Sequence, residues 1–86
     1  MYFCIPYIDR IGIVHDIALI LMKREINIVS MEVEEGVVFL ECQTVPQDQS
    51  AEFVQELSNI KGVQKGEEIS SMPSQERADQ LDAILT

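Results

Sequence analysis

The sequence predicts an α+β domain of two layers with the element order β-α-β-β-α-β. Three observations carry that expectation. The apolar period switches between about 2 and about 3.6 residues as the chain advances, which marks alternating strands and helices. Glycines stand at three of the switch points, Gly12, Gly36 and Gly62. The chain has 86 residues, 47% of them apolar, enough for one two-layer core and little more.

The first strand is expected over "MYFCIPYI". Phe3, Ile5 and Tyr7 form one side of it, and Tyr2, Cys4, Pro6 and Ile8 the other. Both sides are largely apolar, so the strand is expected at the centre of a sheet. Pro6 cannot donate a ladder hydrogen bond, so regular pairing should end or bulge there. From about Gly12 to Arg24 the pattern is helical. Ile13, Val14, Ile17, Ala18, Ile20 and Leu21 share a broad arc, with Lys23 and Arg24 in the last turn, where the helix dipole favours cations. "INIVSMEV" reads as a strand whose alternation slips near Val29 and Ser30, the mark of a bulge. "EEG" is a short hairpin turn with Gly36 at the positive-φ position. "VVFLECQT" is the third strand, with Val38, Leu40 and Cys42 on one face and Phe39 and Glu41 on the other.

Asp48 or Ser50 is expected to cap a second helix carrying the stripe Phe53, Val54, Leu57 and Ile60. Lys61 and Gly62 should end it. "VQKGEEI" is a weak last strand, suited to an edge. This order is the ferredoxin-like plan: a four-stranded antiparallel sheet with two helices on one face. In that plan Phe3, Ile5 and Tyr7 meet Val38, Leu40 and Cys42 beneath the helices. The other face keeps Tyr2, Cys4, Ile8, Val37 and Phe39. A partner chain or a neighbouring domain is expected to cover part of it. Cys4 and Cys42 point to opposite faces and form no disulfide. Residues 70–86 differ in composition. Pro73 opens a new helix with the seam Ala78, Leu81, Ile84 and Leu85, which reads as a linker leading into a further domain; the alternative is an ordinary C-terminal helix docked on the core. The domain is placed at 1–70 and the linker helix at 71–86.

The formal charge is −9, from 15 acidic and 6 basic residues. Such a chain repels phosphate backbones, so direct nucleic-acid contact by this domain is not expected. The apolar run broken by His15 and Asp16 is too short for a bilayer, and no signal peptide is visible. Two unpaired cysteines fit a reducing, cytoplasmic home. No metal cluster, nucleophile–base pair or cofactor motif is present, so no catalytic residue, metal or cofactor is assigned and an enzyme is not expected. His15 reads as an exposed structural residue, because it and Asp16 are direct neighbours that should not face each other.

One turn can carry chemistry. Asp9, Arg10, Ile11 and Gly12 lead from the first strand into the first helix. Gly12 permits close approach of a ligand, and the backbone N–H groups of Ile11, Gly12 and Ile13 are free to meet an anion at the positive end of the helix. An α-carboxylate fits that demand. Arg10 can add positive charge, and Asp9 can accept from an α-ammonium group. On spacing alone the alternative stays open: Asp9 caps the helix, Arg10 is solvated and Gly12 only makes the turn.

"DRIGIVHDIALILMKREINIVSMEV" resembles the start of an ACT domain, the small regulatory module that binds amino acids. The Asp-Arg-x-Gly turn, the apolar helix and the "INI" strand opening carry the likeness. "NIKGVQKGEEISSMPSQER" is similar to the segment that joins the ACT domain to a PAS domain in TyrR-type bacterial transcription regulators, which respond to aromatic amino acids. The resemblance implies a sensor that pairs side by side through its first helix and second strand, with an amino acid held at the junction. It implies that Leu19 and Met22 lie at the pair interface. Asn27 would either reach the ligand across the pair or bond its own backbone. Glu25 departs from the pattern, standing where the family usually has a glycine that closes the first helix; a non-glycine residue with positive φ there would cost roughly 1 kcal/mol. Two other readings remain: an allosteric ACT domain of an amino-acid-metabolising enzyme, and a pairing module without ligand.

Overall fold

The computed structural model describes residues 1–8 and 12–75. Their elements are β1 (Tyr2–Pro6), α1 (Ile13–Lys23), β2 (Ile28–Glu34), β3 (Val37–Cys42), α2 (Gln47–Ser58) and β4 (Glu67–Ile69). The four strands form one antiparallel sheet in the order β2-β3-β1-β4, so β1 and β3 are central and β2 and β4 are edges.

Phe3 lies opposite Leu40 and Ile5 opposite Val38. All four are fully buried, in one cluster with Ile13, Ile17 and Leu21 of α1 and Phe53 and Leu57 of α2. Both helices therefore cover the same face of the sheet. Each such side chain contributes roughly 1.5–3 kcal/mol by leaving water. Phe3 and Phe53 meet edge to face at 5.2 Å between ring centroids, a favoured aromatic geometry. Arg24 closes the layer from the side. Its Nε donates to Glu56 Oε1 at 2.5 Å, and its guanidinium stands 5.8 Å from the Phe53 ring centre.

The expected irregularities fall at their expected places. Regular β1 pairing ends at Pro6, with Tyr7 left in an isolated bridge to Val63. The β2–β3 register shifts between Ile28 and Ser30, which makes Val29 the extra residue. Gly36 has φ 83° in the hairpin. The chain also turns at Glu25, which has φ 58° although it is not glycine.

Other details differ. Val14 is exposed and Ala18 half-buried, so the core arc of α1 is narrower: Ile13, Ile17 and Leu21, with Ile20 at its margin. α2 begins at Gln47 behind Pro46, with no side chain capping it, and Ser50 Oγ instead donates to the Gln47 carbonyl. It ends at Ser58, before Gly62. Gly62, at φ 96°, serves the later turn whose carbonyl accepts from the Ile8 amide at 2.8 Å. β4 is only three residues long. Gly66 before it is buried, and its amide donates to Ser58 Oγ at 2.9 Å.

The largest difference concerns the face without helices. Cys4 lies opposite Phe39, and Phe39 opposite Glu32, so by strand alternation all three point away from the helices. Ser74 donates a hydrogen bond to the Glu32 carboxylate. The chain therefore runs from β4 at one edge, across this face, to β2 at the other. Three strand spacings are roughly 14 Å, and the five steps from Ile69 to Ser74 span at most roughly 18 Å. Met72, midway, is 1% exposed yet stands apart from the main core. Part of this face is thus covered by the chain's own residues 70–75. Tyr2, Cys4, Val37 and Phe39 are half-buried, while Ile8 stays exposed. A helical turn opens at 73, as expected for Pro73. Gln75 Oε1 accepts from the Met72 amide at 3.2 Å, half of a capping box. Residues 76–86, which hold the rest of the expected linker helix, lie outside the described residues.

Candidate functional site

The start of α1 follows β1 at the hairpin end of the sheet, where the Tyr7 amide donates to the Gly36 carbonyl at 2.9 Å. Gly12 is the N-cap, with φ 88° and ψ 5°. A left-handed residue cannot carry its neighbours straight from strand to helix unless it is glycine or accepts strain. Among the described residues no side chain caps this end. A Cβ placed on Gly12 would meet none of the described residues within 4 Å, its chain neighbours aside. The Gly12 carbonyl starts the helix by accepting from the Asp16 amide at 3.0 Å. An anion seated at this end would share the helix dipole with the Asp16 carboxylate in the first turn.

Asp9, Arg10 and Ile11 lie outside the described residues. Ile13 is buried in the core, so only its backbone faces the turn. Asn27 is exposed at the other end of the sheet. Its amide donates to Gln43 Oε1 at 3.1 Å, and its carbonyl accepts from the Gln43 amide at 3.0 Å. α1, roughly 16 Å long by its rise per residue, separates it from Gly12. Within one chain the structure does not bring Gly12 and Asn27 together. Asn27's backbone is tied to Gln43 rather than to its own neighbours.

Leu19 and Met22 are on the outer side of α1. With His15 and Ala18 they line a shallow hollow of about 290 Å³, and Met22 is 67% exposed. β2 beside it is an edge strand with Ile28, Val29 and Val33 exposed. Apolar side chains thus gather on one flank of the molecule. His15 Nδ1 comes within 3.5 Å of Asp16 Oδ1, contrary to the expectation for direct neighbours. Both belong to the first turn, where the rings and carboxylates of successive residues fan outward and can still touch at their tips.

A larger hollow of about 580 Å³ lies on the opposite flank, between α2 and the segment before β4. Its lining includes Gln55, Asn59, Gln64, Lys65 and Glu68. The polar spacing along α2 could have revealed it, since Ser50, Val54 and Ser58 fall on one helical row. Its floor is already closed by the protein itself, because Ser58 Oγ donates to the Val54 carbonyl and accepts from Gly66. At the start of α1 no side chain among the described residues makes such a closure.

Cys4 and Cys42 are both free thiols. Burial, and then the Glu67 carboxylate, push the Cys4 thiol above its usual range. Burial likewise raises Cys42, and Glu41 raises it further, against the lowering effect of the chain's amino terminus. Among the described residues no three His, Cys, Asp or Glu side chains gather as a metal site, and no helix is long and apolar enough to cross a membrane. No family model and no curated protein matches the chain.

Proposed function

We propose that the chain is a regulatory module of the ACT type, with the ferredoxin-like arrangement, that senses an amino acid and pairs with a second copy in a cytoplasmic bacterial transcription regulator. The observation that carries this reading is the start of α1, where Gly12 is a left-handed N-cap, and no side chain among the described residues caps it or closes the space beside its Cα. Amides at a helix start favour a carboxylate. The exposed apolar flank made by Met22, Val29 and Val33 supports pairing through α1 and β2. In an antiparallel pair, the second copy's β2 would begin beside the end of the first copy's β2. That would bring its Asn27 toward the Gly12 turn, which one chain alone does not do. The aromatic class of ligand rests on the resemblance of the Asp9–Gly12 turn and the Met72–Arg77 segment.

Calorimetric titration with the twenty amino acids tests the reading, with the mass of the protein followed in parallel by light scattering. Binding of one or more aromatic amino acids, with a shift toward the paired mass, is the expected result. If none binds and the protein still pairs, the module serves pairing alone.

A further inference from the structure

The path of residues 70–75 has a consequence for the paired form. These residues cross the helix-free face from β4 to β2, held by the buried Met72 and by the Ser74–Glu32 hydrogen bond. Their end lies at the β2 edge, the same edge that exposes Val29 and Val33. We infer that this strap steers the two chains of a pair to leave side by side at the β2 junction; the inference rests on the pairing proposed above.

The geometry is simple. Met31 is the middle residue of β2 (Ile28–Glu34). If two β2 strands meet antiparallel about it, neighbouring strands lie roughly 5 Å apart and the two Glu32 positions within roughly 10 Å of each other. Each Glu32 carries the Ser74 of its own strap. Two carboxylates at that distance repel, and a hydroxyl donated to each offsets part of the repulsion. Without the strap the chain would leave β4 at the far edge, three strands from the junction on each side. The strap therefore converts pairing at one edge into proximity of the two exits. A change in the pair at α1 and β2 would reach the following residues without passing through the core.

A cross-linking experiment on the full chain tests this. Ser74→Cys places a thiol, itself a weaker donor to Glu32, at the strap's end, where the buried Met72 still seats it, and Gln64→Cys places one near the far edge; each is treated with a short-armed bis-maleimide. The wild type, whose thiols are Cys4 and Cys42, is the blank. Pairing itself is read separately as a doubled mass in light scattering. The expected result is a doubled mass, with covalent dimer from Ser74→Cys and not from Gln64→Cys. Adding Met72→Asp to Ser74→Cys should lower the dimer yield about tenfold or more, since unseating one buried methionine shifts the strap's equilibrium by at least that factor. A doubled mass with no more dimer from Ser74→Cys than from Gln64→Cys overturns the routing and leaves pairing intact. An unchanged yield with Met72→Asp also overturns it. A single-chain mass at every concentration removes the pairing, and the routing with it.

Discussion

The Ile26 amide donates to the Leu21 carbonyl at 2.9 Å, and the Glu25 amide between them to Met22 at 3.1 Å. This double closure is the Schellman ending of α1, and it requires a left-handed residue between its two bonds. Here that residue is Glu25, at φ 58°. A side chain in that region costs roughly 1 kcal/mol. Glu25→Gly should therefore raise stability by up to about 1 kcal/mol, the relief of strain being partly offset by the extra freedom of glycine when unfolded. Urea unfolding of the two proteins measures it, and a loss of stability would show that the Glu25 side chain contributes more than its backbone strain removes.

Arg24, one residue earlier, ties α1 to α2. Its partner Glu56 is partly exposed, so the ion pair alone is worth no more than about 1 kcal/mol. The contact with Phe53 adds about 0.5–1 kcal/mol. Arg24→Ala should accordingly destabilise by about 1–2 kcal/mol and Glu56→Gln by less than about 1 kcal/mol, because the glutamine keeps a hydrogen-bond acceptor. Thermal unfolding at low and high salt separates the parts: the Glu56→Gln difference should shrink with salt, and the part of the Arg24→Ala difference due to Phe53 should persist.

Why some of this was legible in the sequence and some not follows from the kind of signal each feature leaves. Faces of β1 and β3 could be assigned because Phe3, Ile5, Val38, Leu40 and Cys42 alternate with their neighbours, and alternation survives any packing detail. The bulge at Val29 was legible because the alternation slips there. Gly62 misled, since a glycine after a helical stripe can end the helix or serve a later turn, and local sequence does not distinguish the two. The strap left no periodic mark. Met72 stands among serines and a proline, and a single apolar residue in such a run carries no indication of what buries it. At the site, Gly12 was legible from its place between strand and helix. The separation of Gly12 from Asn27 was not, because it depends on the direction in which α1 returns along the sheet.

The two thiols give a pH-dependent prediction. Both are raised above their ordinary value of 9.0 in the folded chain. The unfolded chain loses these protons first as pH rises, so it binds fewer protons than the folded chain in that window. Their effect on stability is therefore absent well below pH 9.0 and destabilising as the pH climbs through and past it. The stability difference between wild type and Cys42→Ala should be flat from neutral pH to about pH 8, and should then shift against the wild type at higher pH. Chemical unfolding at a series of pH values checks this; a difference that stays constant into the alkaline range would mean that Cys42 titrates alike in both states.

Met72 makes the sharpest stability prediction, because it is buried outside the main core. Removing a buried methionine side chain costs about 2–5 kcal/mol where the surroundings cannot collapse. Residues 70–75 can instead lift from the sheet, so the loss in global stability for Met72→Ala should fall at or below the lower end of that range. The local effect should be larger. Cys4 lies on the face that the strap crosses, whereas Cys42 is sealed beneath the helices. In Met72→Ala the thiol of Cys4 should react several-fold faster with a disulfide reagent, and that of Cys42 at its original rate, since local opening exposes only what the strap covers. Mass spectrometry of the labelled peptides distinguishes the two sites. Equal acceleration at both cysteines would mean that Met72 supports the whole domain and not the strap alone. No acceleration at Cys4 would mean that the strap stays seated without its methionine.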